Sequence, residues 1–120
     1  MTLGQPKGVI NGEGSRRHQT CVIALEGELD VMTATEGHKR LLALRLPPGG
    51  RLVVDLSRIT FMDSTGIRFL LLAREHARRC RATYVIVSGP DHVMRVLQLV
   101  GLDEQLEIVP ADQGAAMPVR

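Results

Sequence analysis

Apolar and polar residues fall in blocks along the chain, and the period of the blocks changes. "TCVIALEG" (Thr20 to Gly27) is rich in β-branched residues and does not strictly alternate, which predicts a strand buried on both faces. "GELDVMTATEGHKRLLALRLPPGG" then shifts to a helical rhythm, with Ala34, Gly37, Leu41 and Leu44 on one stripe. Thr33 and Glu36 have capping-box spacing and predict the helix start, while Pro47, Pro48, Gly49 and Gly50 stop it. "RLVVDL" (Arg51 to Leu56) is a second short apolar strand.

The segment "FMDSTG" turns the chain into a longer helix, about Thr65 to Arg79, whose stripe is Gly66, Phe69, Leu70, Ala73, Ala77 and Cys80. "ATYVIVS" (Ala82 to Ser88) predicts a third strand. Asp91 is placed to cap a helix carrying Val93, Val96, Leu97 and Val100. Gly101 suits the left-handed closing position, with Leu102 able to fold back on Leu97. "LEIVP" (Leu106 to Pro110) is a short last strand, and Val9 with Ile10 could add an edge strand.

Strands alternating with helices predict an α/β fold: a mixed, mostly parallel sheet of four to five strands flanked by three to four helices. A chain of 120 residues suits one domain. Its expected extent is residues 19–110, between a flexible N-terminal segment (1–18) and a C-terminal tail or short helix (111–120).

Composition narrows the function classes. Two Phe, one Tyr and no Trp leave few platforms for stacking bases, so no nucleic-acid partner is expected. The net charge of +2 is mild. The densest basic cluster, Arg74, Arg78, Arg79 and Arg81, reads as the wet face of a helix, with Glu75 able to pair with Arg79. Neither cysteine sits in a C-x-x-C or Cys/His cluster, so Cys21 and Cys80 are expected as free thiols. No apolar run approaches a membrane span and the start has no signal-peptide core. A cytoplasmic protein with no membrane partner is expected.

The candidate chemistry lies in Asp63-Ser64-Thr65-Gly66. Asp63 or Ser64 can cap the helix, and Gly66 lets it approach the sheet closely. The same corner exposes a hydroxyl where α/β folds place their sites, and a phosphate there would meet the positive end of the helix. Enzyme readings fare worse. The P-loop and the G-x-S-x-G elbow do not occur, and the four histidines show no metal-ligand spacing. A hydrolase using Ser64 lacks a general base in the motif. A phospho-aspartate receiver built on Asp55 lacks the acidic pair after the first strand and the late lysine. The chain is read as a non-enzyme, and no cofactor is expected.

"LEGELDVMTA", "VVDLSRITFMDSTGIRFLL" and "RVLQLVGLDEQL" together resemble the three signature segments of the STAS domain, and more narrowly those of bacterial anti-sigma factor antagonists. The resemblance covers about Thr20 to Val109. It implies partner switching. The unmodified antagonist binds an anti-sigma factor, often also a serine kinase, and so releases a sigma factor. Phosphorylation by that kinase, with ATP and Mg²⁺ held on the kinase, ends the contact, and a serine phosphatase restores it. Carried onto this chain, the phosphoacceptor is Ser64, with Asp30 of "GELD" and Asp63 as its acidic neighbours. Thr65, Ile67, Arg68 and Leu71 complete the expected partner-binding surface, on a monomer or weak dimer. STAS-like domains also serve as non-switching scaffolds or as small-ligand modules in signalling or transport assemblies, which is the alternative.

Overall fold

The computed structural model describes the backbone of residues 7–9 and the whole of residues 19–111. The expectations of a flexible segment over 1–18 and a tail or short helix over 111–120 fall almost wholly outside the described residues. The element order is β1 (Lys7–Val9), β2 (Thr20–Leu29), α1 (Val31–Ala43), β3 (Arg51–Met62), α2 (Ser64–Arg79), β4 (Thr83–Val87), α3 (Asp91–Leu99), a 3-10 turn (Leu102–Glu104) and β5 (Ile108–Val109).

The five strands lie in the spatial order β1-β2-β3-β4-β5. β1 runs antiparallel to β2, and the other neighbours are parallel. Each parallel step needs a crossover, and crossovers of one hand advancing in one direction place their helices on one face of the sheet. The core follows. Cys21, Ile23 and Leu25 of β2 and Leu52, Val54 and Leu56 of β3 join Leu41 of α1, Phe69, Leu70 and Ala73 of α2, and Val93 and Leu97 of α3. Alternate residues Val22, Val53, Val85 and Val87 form a smaller cluster on the other face. That two-sided burial is why the strands read as continuous apolar runs.

Several boundaries differ from the sequence expectation. Helix α1 starts at Val31 with Asp30 as its N-cap, so Thr33 and Glu36 do not form the capping box. Thr33 is instead buried, and its hydroxyl bonds the Glu28 carbonyl and the Asp30 carboxylate. Asp91 is the first residue of α3 rather than its cap. Pro90 precedes it and makes no side-chain cap bond. Strand β3 runs on past Leu56 to Met62, and β5 shrinks to two residues. Gly101 does take the left-handed conformation (φ 76°), and Leu102 and Leu97 both enter the core.

Burial pushes the Cys21 thiol pKa up, and Cys21 and Cys80 are both free. Glu75 pairs with Arg78 and, at 3.6 Å, with Arg79, so part of the basic cluster is balanced on its own helix. No helix among the described residues is long and apolar enough to cross a membrane.

Gly66 is where α2 meets the sheet. A Cβ there would stand 2.2 Å from Met62 Cγ and 3.0 Å from Leu29 Cδ2. Gly→Ala in an exposed helix interior stabilises by about 1 kcal/mol. Gly66→Ala is expected to reverse that sign and cost about 1–3 kcal/mol through overpacking, seen as a lower urea midpoint. A midpoint at or above that of the unchanged protein would show that Met62 swings aside freely.

Candidate functional site

The site is set by how β2 and β3 pair. Their register starts with Thr20 opposite Arg51 and Ala24 opposite Asp55, then slips to Glu26 opposite Arg58 and again to Glu28 opposite Phe61. Each slip places one extra residue in β3, a bulge that bends and twists the strand. The Asp55 carboxylate steadies the first by accepting from the Ser57 N–H at 2.9 Å. After both slips Leu29 lies opposite Met62, so the next residues, Asp30 and Asp63, leave the sheet side by side. Parallel neighbours sit about 4.8 Å apart. Without the two extra residues Asp30 would fall beside Phe61.

Both acids then do the same local work. Asp30 Oδ1 accepts from the Thr33 N–H at 3.0 Å and the Thr33 hydroxyl at 2.9 Å. Asp63 Oδ1 accepts from the Thr65 N–H at 2.9 Å. Each satisfies a free donor of its helix start and places a negative charge at the positive end of the helix dipole. The Thr33 N–H, and then the Thr33 hydroxyl, hold the Asp30 carboxyl below its ordinary pKa.

Ser64, the first residue of α2, is exposed. Beside it a groove of about 860 Å³ runs between α1 and α2. Five of the expected partner-binding residues line it: Ser64, Thr65, Ile67, Arg68 and Leu71. Asp30 and Asp63 stand at the corner outside the lining. Ile67 and Leu71 are half-buried and pack on the core, so they face the groove without being a free patch.

The sequence reading missed the opposite wall, where α1 contributes Val31, Ala34, Thr35 and His38. It also missed three exposed apolar side chains near the strand ends, of which Val31 lines the groove: Val31 is 66% exposed, Met32 79% and Phe61 49%. A signal existed, because "VM" directly after the GELD acid puts two large apolar side chains in a first helical turn outside the buried stripe. Of the other histidines, His92 Nε2 lies 2.7 Å from the Thr60 carbonyl oxygen and His76 Nε2 3.8 Å from Cys80 Sγ. Among the described residues no group of three or more His, Cys, Asp or Glu is arranged to hold a metal ion.

Chemically, the corner presents a reachable hydroxyl flanked by two charged caps and bordered by apolar surface.

Comparison with known proteins agrees with this architecture. The chain is similar to the anti-sigma-B factor antagonist of Listeria monocytogenes, 29% identical over 86 residues, covering 72% of this chain and 75% of the relative. It is 23% identical over 99 residues to the anti-sigma-B factor antagonist of Staphylococcus aureus, covering 82% and 92%. Among solved structures, an anti-sigma factor antagonist from Mycobacterium paratuberculosis superposes with a TM-score of 0.68 at 24% identity, covering 97% of this chain and 91% of that one. An anti-sigma-factor antagonist (STAS) domain protein from Planctomyces limnophilus gives 0.64 at 18%, covering 80% and 86%. The family model described as "Mlab, STAS domain" matches residues 14–110, and on that match, together with the sheet order and the paired acid corners, the chain belongs to the STAS domain family.

Proposed function

We propose that this chain is an anti-sigma factor antagonist switched by phosphorylation of Ser64. The observation that carries the proposal is the exposed Ser64 hydroxyl at the first position of α2, next to the Asp63 cap and the adjacent Asp30 corner. The names of the curated relatives support the general role.

In its unmodified state the corner, the groove between α1 and α2 and the exposed apolar first turn of α1, Val31 and Met32, form the docking surface for an anti-sigma factor that is also a serine kinase. Docking frees the sigma factor, so the chain works where RNA polymerase works, in the cytoplasm. The kinase brings ATP and Mg²⁺. The Ser64 oxygen attacks the γ-phosphorus, the bond to the β-phosphate oxygen breaks, and the hydroxyl proton passes to a base on the kinase. The phosphate adds about −1.5 to −2 charge beside two carboxylates that already face the partner. All three groups stand in water, so solvent screens part of their mutual repulsion. The stronger effect falls on the partner, whose groups must desolvate against the new charge and make room for it. A serine phosphatase resets the switch. The fold itself need not change.

Incubation with an anti-sigma factor kinase of the same organism and ATP, followed by mass spectrometry, is expected to place phosphate on Ser64. Phosphate on other residues alone would sink the assignment. In calorimetry against that kinase, Ser64→Asp is expected to weaken binding about tenfold or more, while Ser64→Ala keeps it. Equal affinities would count against the charge mechanism.

Asp30 generates a separate test. Its folded-state pKa lies below the ordinary value, so its stabilising effect is complete above the unfolded pKa, about 3.9. That effect is lost as pH falls through the folded pKa. Asp30→Ala is expected to lower the Tm at pH 7, with the gap to the unchanged protein closing toward pH 3. A gap that stays constant across that range would show that the carboxylate charge is irrelevant to the cap.

A further inference from the structure

Arg68 stands four residues after Ser64 on α2, and both line the groove. Side chains on an α-helix lean toward its N-terminus, so a residue at i+4 lies over residue i. Arg68 is exposed. Among the described residues the salt bridges join Lys39 to Glu36, Arg58 to Glu26, and Arg78 and Arg79 to Glu75, none of them involving Arg68. The α1 wall of the groove offers it Val31, Ala34, Thr35 and His38 and no carboxylate. The nearby acids, Asp30 and Asp63, are occupied with the helix starts at Thr33 and Thr65. Among the described residues the corner therefore holds one guanidinium outside the salt bridges, one helical turn from the hydroxyl.

We propose that Arg68 is the intramolecular receptor for the phosphate on Ser64, an inference that rests on Ser64 being the modified residue. A phosphate brings three acceptor oxygens, and a guanidinium offers a planar fork of donors that matches them. An anion followed by a cation four residues later is the favoured order on a helix. Modification then does two things at once. It replaces a hydroxyl by a dianion, and it takes Arg68 away from any partner carboxylate that used it in the unmodified state. The phosphate is held across the mouth of the groove, where it blocks docking, instead of swinging freely in solvent.

The test uses the full chain with phosphoserine installed at position 64 through an expanded genetic code, so no kinase is involved. Titration followed by ³¹P NMR gives the second pKa of the phosphate. Asp30 and Asp63 act to raise it, and the helix N–H groups and Arg68 act to lower it. His38, on the facing wall, is a second basic side chain in the groove, so the series is repeated with His38→Gln. Arg68→Gln is expected to raise that pKa by about half a unit or more, and Arg68→Lys to recover part of the shift. Arg74→Gln, outside the groove lining, is expected to leave it unchanged. The same pKa with and without the Arg68 guanidinium overturns the inference. If Arg68→Gln lost the native circular dichroism spectrum, the Arg68 Nε–H resonance of the unchanged sequence decides instead. A downfield, exchange-protected signal that appears with the phosphate supports the contact, and an unshifted one overturns it. Failure of the two readings is distinguishable. Kinase mapping away from Ser64 removes the proposed switch and leaves the ³¹P result readable, whereas an indifferent Arg68 removes only the receptor.

Discussion

The parallel ladder between β2 and β3 is the constraint on which the site depends. It holds two strands at a fixed spacing, and its two slips decide which residues emerge together at their ends. Had the ladder run without slips, one acid would cap a helix beside an aromatic ring and the other would stand alone. With them, two corners of the same plan lie next to each other, each an acid followed by a helix. Every later feature uses that arrangement. The helices start side by side, the groove opens between them, and the hydroxyl sits at its head. The bulges act by position, advancing the end of β3 relative to that of β2.

The two corners also show how one side chain serves stability and site at once. A carboxylate at a helix start is favourable because the first N–H groups have no partner within the helix. That same charge sets the field felt by anything attached one residue later. Asp30 and Asp63 are thus held in place by local folding energetics, and the site inherits their positions with no ordering cost of its own. The corners differ in the next residue, Val31 against Ser64. Two extended N-cap residues, Asp30 (φ −105°) and Asp63 (φ −128°), thus lead to one apolar contact point and one exposed hydroxyl.

Much of this was legible in the sequence, and the limits have physical causes. The α2 stripe was legible because Gly66, Phe69, Leu70, Ala73 and Ala77 all contact one sheet face and must follow the helical period. The layer order was legible because apolar runs alternated with helical stripes. The start of α1 was misread because Asp30 and Thr33 are both good cap types three residues apart, and only the backbone decides between them. The last half of β3 was missed because Ser57 to Met62 mixes polar and apolar residues around the bulges, and the break in period looks like a turn. The groove was half legible. Its α2 side follows from the residues after Ser64, but the α1 side depends on how closely two helices pack, which no single-segment pattern contains.

The contact at Gly66 ties together positions that are far apart in the chain. Leu29, Met62 and Gly66 occupy one volume, and Leu29 and Met62 each immediately precede an acid of the corner. A larger residue at any one of the three needs a smaller one at another, or the strand ends shift and carry Asp30 and Asp63 with them. Lineages that drift at these positions should therefore change them in concert. The spacing of the two charges would then be inherited through a steric trio that itself never touches a partner.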